Sequence, residues 1–467
     1  MTPLRSLSEI RSHFFRDPTP CWSICASPYT LLGMDEWVRG FRWISHADCF
    51  DGAHPRVFVP RTRAGSAVFP YETLEEMNAA LLGMPDVQAH IRARGPGRVA
   101  MLLFDEQAER LCKELSLDLV FPSAELRRRV DDKLETTRLA ERAGVPCVPN
   151  VLGRVQSWAD LRGLAGHLGP DLVLQSAYGD SGATTWFVSS PEDLEVCLKP
   201  VAAEREIKVM KRIRCAQAAV EACVTHQGTI VGPVLTEIVG HAELTPYKGG
   251  WAGNEVAPQA FTAQQRQDAS RRTQAFGDVL RELGYRGYFE LDWLVDLDDG
   301  ELYLGELNPR LTGASPLTNL AAVAHADAPL FLFHLLEYSG VPFELDIDEL
   351  NARWASETHA EAWGQIILKH VGEEPLLVTQ APRSGAWSMG TREVRWQYMQ
   401  THRRTVEDEA SAFFLRIAQA GDVVDQGDDI GVLVLRGRLK QQDGALTPRA
   451  SAWNRAIRAQ FSGIPLS

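Results

Sequence analysis

The chain has 467 residues, of which 45% are hydrophobic and 23% charged, and it carries a formal charge of −13. That length exceeds one simple core, so two or three packed units are expected, and the composition is that of a soluble globular protein. The acidity excludes sequence-independent nucleic-acid binding, which needs a basic footprint, although a few local Lys and Arg can still hold a small anionic substrate.

All eight cysteines (Cys21, Cys25, Cys49, Cys112, Cys147, Cys197, Cys215, Cys223) fall in the first half, and none forms a CxxC pair. Zinc-ribbon and redox motifs are therefore not expected, and a reducing compartment is. Met1 to Arg16 has no apolar segment ahead of a small-residue cleavage site, and no apolar run approaches the roughly 18 residues of a membrane span. A cytoplasmic protein without membrane or nucleic-acid partners is expected.

In chain order, Cys21 to Ala26 reads as a short apolar strand. Arg98 to Phe104 reads as a buried strand that runs into Asp105, a helix N-cap for Glu106 to Leu115. This succession predicts a parallel α/β sheet. The loop Trp43 to Arg56 contains His46, Asp48, Cys49 and His54, but their spacing is irregular, and a structural loop is favoured over a metal site. A new unit begins near Leu126 with an amphipathic helix over Arg127 to Ala143, ended by Gly144 and Pro146.

Leu172 to Gln175 and Trp186 to Ser189 read as strands around a loop that contains Gly179, Asp180, Ser181 and Gly182. Backbone N–H groups of such a loop can donate to phosphate oxygens, though most loops of this kind are plain turns. Val220 to Val224 and Thr229 to Val239 form an antiparallel pair, and the helix Ala263 to Leu283 leads into a hairpin of Gly287 to Val295 and Glu301 to Leu307. Strands at Trp363 to His370 and Asp429 to Leu435 and a helix at Arg449 to Phe461 close the chain.

The hairpin carries the most chemistry. Glu306 and Asn308 are two residues apart and face one side of the sheet, and Asp292 reaches the same face from the adjoining strand. Two carboxylates and an amide oxygen are the hard ligands that Mg²⁺ bridging ATP phosphates requires; a hairpin with ordinary polar residues on its wet face is the plain alternative. Lys133, after Asp131 and Asp132, can place an ammonium on a phosphate, although a lone Lys on a helix is more often solvated.

The order of these parts resembles the ATP-grasp superfamily, and most of all its biotin-carboxylase-like branch. The likeness rests on Asp132-Lys133 with LAERAGVPCVP, then the Gly/Ser flap, GYRGYFELDWLV and YLGELNPR. It runs over about Leu111 to Arg310 and more loosely to Arg438. The resemblance implies an α/β fold of three domains: a parallel pre-ATP-grasp domain (1–125), ATP-grasp lobes (126–344) and a β-rich C-terminal domain (345–467). It further implies that Lys133 and Gln175 lie at the phosphates of ATP, under a flap with Gly179, Ser181 and Gly182. Met210, Lys211 and Ile213 would receive adenine, and Asp292, Glu306 and Asn308 would bind Mg²⁺ or Mn²⁺. Arg310 would stabilise an acyl phosphate, with Lys248 facing the same space.

Three departures from the family pattern stand out. Gln175 occupies the place of a usual phosphate-contacting Lys, for which Lys208, Lys211 and Lys248 are candidate substitutes. Met210 occupies the place of a usual acidic residue. Ala314 stands where biotin carboxylases carry a Glu, and no Met-Lys-Met biotin-attachment triplet is present. The resemblance thus implies a carboxylate–amine ligase of a small carboxylate and an amine (an amino acid or short peptide), a homodimer being common in this branch. The alternatives are a bicarbonate-activating enzyme and an ATP-binding protein without turnover. Thr312 to Ser315 is read as a plain turn ahead of a helix at Leu317 to His325, or else as a pocket wall. Trp251 is read as a packed aromatic or a lid residue.

Overall fold

The computed structural model describes residues 2–60, 71–179, 184–319, 328–355, 361–390, 393–400 and 406–466. Near the N-terminus, five parallel strands form one sheet in the order Val57–Phe58, Phe41–Ser45, Cys21–Cys25, Gly97–Met101, Leu117–Leu119. Its three central strands are largely buried on both faces, as the continuous apolar run of CWSIC requires. Trp22, Phe41, Trp43 and Val99 share a core with Phe331 and Leu335 of the later helix Leu330–Glu337. Asp105 caps the helix Glu106–Glu114 by accepting from the Ala108 amide at 2.8 Å.

The loop after Phe41–Ser45 is held by its own side chains. Asp48 accepts from the amides of Phe50 and Gly52, and His54 Nδ1 accepts from the Arg56 amide. The His54 ring is buried beside Trp43 and Phe50, which depresses its pKa to about 4.

The stretch Arg127 to Ala143, expected as one helix, is two: Ala124–Val130 and Lys133–Ala143. Asp132 breaks it. Its side chain accepts from the amides of Leu134 and Glu135, so it serves as an N-cap, a role Asp fills better than a helix interior. The break puts Lys133 on the first residue of the second helix, which ends as expected at Gly144 with φ +64°.

A small antiparallel sheet follows, in the order Asn150–Gly153, Ile207–Lys211, Leu172–Gln175, Thr185–Val188. Ile207, Val209, Leu172 and Leu174 face one way, into a core with Leu161, Leu194 and Val201 from the helices Trp158–Ala165 and Pro191–Ala203. Lys208, Met210, Val173 and Gln175 face the other way by strand alternation.

The largest sheet has ten strands. The hairpin Gly287–Asp296 and Leu302–Asn308 forms one edge, followed by Cys215–Val224, Thr229–Val239 and Trp251–Val256. Trp251–Val256 then pairs with Trp363–Lys369, so the C-terminal strands continue the same sheet. The helix Ala263–Glu282 covers one face through Ala269, Thr273, Phe276 and Leu280, one helical stripe. Helical backbone also spans 315–319; the rest of the helix expected to His325 lies outside the described residues. All eight cysteines are free thiols, and no described helix is long and apolar enough to cross a membrane.

Candidate active site

The hairpin register pairs Asp292 with Glu306 and Glu290 with Asn308, so all four side chains share one face. Leu291, Trp293 and Val295 point the other way, into the core under the helix Ala263–Glu282. A register shift after Asp292 lies beside Gly305, where a Cβ would stand 3.2 Å from the Asp292 carbonyl oxygen. Asn308 Nδ2 donates to Asp292 Oδ2 and to Glu290 Oε2, each at 3.2 Å. Burial pushes the Asp292 and Glu290 pKa values well up. Neighbouring carboxylates (Glu237 and Glu306 around Asp292; Asp292, Glu221 and Glu237 around Glu290) add to the rise, and Arg310 opposes it. A cluster that resists holding its own charge favours an added cation.

Lys133 meets this cluster from the opposite wall. Its ammonium lies 2.8 Å from Glu306 Oε1 and donates to the Gly179 carbonyl at 2.7 Å, with only 6% of the residue exposed. Its amide donates to the Ala177 carbonyl, so the start of the helix, the root of the flap and the hairpin are tied together. Gly179 has φ +148°, and a Cβ there would stand 2.1 Å from Thr184 Oγ1; only glycine fits. Ser181 and Gly182 lie outside the described residues.

Between the two lobes is a small apolar surface. Val148, Val173 and Met210 pack with Ile213 on one side and with Leu294 and Tyr303 of the hairpin on the other. The Lys211 amide donates to the Pro149 carbonyl and the Arg212 amide to the Asp171 carbonyl, which fixes the course of the linker. Arg310 follows the hairpin; its amide donates to the Asn308 carbonyl, and its Nε is buried without a partner among the described residues.

No family model matches the chain. Biotin carboxylase of Haemophilus influenzae is 25% identical over 225 residues, 46% of this chain and 47% of that one. The solved structure of a biotin carboxylase–ATP-analogue complex from Campylobacter jejuni superposes with TM-score 0.64 at 14% identity, covering 95% of this chain and 92% of that one. An ADP complex of N5-carboxyaminoimidazole ribonucleotide synthetase gives TM-score 0.56 at 14% identity, covering 95% and 98%. The fold is the ATP-grasp fold of the biotin carboxylases. The chain spans less than half the length of the curated relatives it matches.

Within this ATP-grasp cleft, the departures noted in the sequence take physical form. Gln175 lies directly across from Lys208 on the neighbouring strand, with its Nε2 donating to Thr185 Oγ1 at 3.2 Å. Met210 is a buried member of the apolar surface. Lys248 sits on an exposed turn ahead of Trp251–Val256, and no described contact joins its ammonium to the hairpin cluster. Trp251 is packed: a Cβ on Gly313 would stand 2.3 Å from its ring.

Thr312 to Ser315 clamps a buried carboxylate. Glu221, fully buried, receives the Tyr288 hydroxyl at 2.7 Å and the hydroxyls of Thr312 and Ser315. Thr312 Oγ1 also lies 3.0 Å from Glu290 Oε1. The single Thr312 hydroxyl thus lies between two buried carboxylates, and burial pushes the Glu290 pKa well up. Burial pushes Glu221 up to about 7, in the same sense. Sequence reasoning missed Glu290, Glu221 and Glu237. Glu290 was within reach of it, since it precedes Asp292 by two on the same strand face; Glu221 and Glu237 needed the register across the sheet.

Proposed function

We propose that this chain is an ATP-dependent carboxylate–amine ligase that works through an acyl phosphate. The ion pair between Lys133 and Glu306 carries the reading. In it the ammonium we assign to a phosphate meets the carboxylate we assign to the metal, beside the Gly179 carbonyl.

Adenine would lie against Met210 and Ile213 beside Lys211, and the phosphates would run past Gln175 toward Lys133 beside Gly179. Lys133 then exchanges Glu306 for phosphate oxygens and frees that carboxylate. Asp292, Glu306 and Asn308 fit Mg²⁺ or Mn²⁺. No three His, Cys, Asp or Glu converge as a self-sufficient metal cage among the described residues, and a sparse oxygen set of this kind suits an ion that shares its shell with phosphates and water. An ion held by these residues would supply positive charge to the transferring phosphoryl group.

A carboxylate oxygen of the substrate attacks the γ-phosphorus, the β–γ bridging bond breaks, and ADP leaves. The Arg310 guanidinium holds the acyl phosphate. An amine then attacks the acyl carbon, the C–N bond forms, and phosphate departs with the carboxylate oxygen, taking up the proton that the amine nitrogen loses. Orientation and water exclusion suffice for that step. Ala314 offers no base for bicarbonate, which disfavours the carboxylase alternative. Eight free thiols suit a cytoplasmic setting.

The test is ADP and phosphate release across a panel of carboxylates and amines, with bicarbonate plus free biotin as a separate arm. Release that needs one carboxylate and one amine supports ligation. Release that needs bicarbonate and biotin replaces it with carboxylation. ATP binding without turnover anywhere in the panel would mean a degenerate site.

A further inference from the structure

Lys208 is only 2% exposed, yet no ion pair or side-chain hydrogen bond engages it among the described residues. A buried ammonium without a counter-charge is expensive, and folded chains seldom keep one idle. Its strand, Ile207–Lys211, turns Ile207 and Val209 into the lobe core and Lys208 and Met210 toward the cleft. Lys208 stands directly across from Gln175, whose Oε1 is likewise buried without a partner among the described residues. The groups that bear on it are the Cys147 thiol, Glu306 of the hairpin and Lys133 of the facing helix. Lys133 already has Glu306 as its ion-pair partner, whereas no described carboxylate lies within ion-pair distance of Lys208.

We infer that Lys208 is the cation for the α- and β-phosphate oxygens of the nucleotide, supplied from the strand beside Gln175. This rests on the nucleotide reading given above and adds the residue on which the phosphate tail is held. The positions agree. Lys208 precedes Met210 by two residues on one face, about 6.5 Å along the strand, so a base against Met210 sends its phosphates past Lys208 toward Lys133. Moving a cation from the Gln175 strand to the next one shifts its origin by about 4.8 Å, within reach of a four-carbon stem. A phosphate there would supply the missing anion and lift the ammonium back from the depressed pKa that burial imposes.

Calorimetric titration of the full chain with MgATP, MgADP and adenosine tests this, using wild type, Lys208→Met and the double variant Gln175→Lys/Lys208→Met. Methionine keeps the buried stem, and thermal melts report folding. The expected result is that Lys208→Met weakens MgATP and MgADP by about tenfold or more and leaves adenosine within about twofold, while the double variant regains MgATP affinity. Unchanged MgATP affinity in folded Lys208→Met, or an equal loss for adenosine, overturns the inference and leaves the enzyme reading standing. Wild type that binds no MgATP overturns both. Should Lys208→Met not fold, the double variant's ratio of MgATP to adenosine affinity decides: a ratio like that of wild type supports the inference, and a collapsed ratio overturns it.

Discussion

Lys133 and Glu306 come from opposite walls of the cleft and meet at 2.8 Å, with the Gly179 carbonyl as the second acceptor of the same ammonium. The contact makes one buried cation the junction of helix, flap and hairpin. It also means that nucleotide binding has to rearrange an existing pair, since Lys133 cannot hold both Glu306 and a phosphate at full strength.

Lys133→Ala is therefore expected to weaken MgATP by about tenfold or more, the usual scale for a charge-assisted contact. Adenosine, which meets only the apolar surface around Met210, should be far less affected. Calorimetry reads both; a variant with wild-type MgATP affinity would assign the phosphate to another cation.

Glu306→Gln keeps the shape of the side chain and removes its charge. ADP formation should fall to background while the circular dichroism spectrum and melting curve remain those of wild type. Persistent turnover would remove Glu306 from the metal shell.

Gly313→Ala tests packing rather than chemistry. The added methyl would stand 2.3 Å from the Trp251 ring, and overpacking of this kind typically costs about 1–3 kcal/mol. Urea denaturation should show that loss, and a midpoint equal to wild type would show Trp251 free to move aside.

The buried Glu221 sets a pH dependence. Its folded pKa is raised from the ordinary 4.5 to about 7 by burial, so between those values the folded chain binds protons that the unfolded chain has released. Its contribution is fully present below 4.5 and is lost as pH rises through about 7. Tyr288, Glu290, Thr312 and Ser315 surround it. Denaturation of the nucleotide-free chain across this window should show stability falling with pH, and Glu221→Gln should reduce that slope, with Glu237, likewise raised to about 7, carrying part of the rest; an unaltered slope would mean that Glu221 is ionised throughout.

Asp132→Ala removes a helix cap, which is expected to cost about 1 kcal/mol, and it loosens the residue that aims Lys133. Both melting temperature and MgATP affinity should fall. A drop in stability with unchanged affinity would separate the cap from the site.

Local pattern made much of this chain legible. The alternation in GYFELDWLVD and YLGELNPR placed Asp292, Glu306 and Asn308 on one face, because strand side chains alternate with period two whatever the surroundings. The apolar runs at CWSIC and RVAML marked buried parallel strands for the same reason. The helix break at Asp132 was readable in principle, since Asp favours the N-cap, but the amphipathic stripe on both sides masked it.

Sequence by itself thus determined the strands, the cleft-facing sets along each strand and the likeness that named the fold. Tertiary structure alone decided which distant polar groups meet: Lys133 with Glu306, Glu221 with Thr312 and Ser315, and Lys208 with no ion-pair partner among the described residues. Periodicity fixes where a side chain points relative to its own backbone, whereas its partner depends on how strands far apart in the chain are brought into register, and no local propensity encodes that.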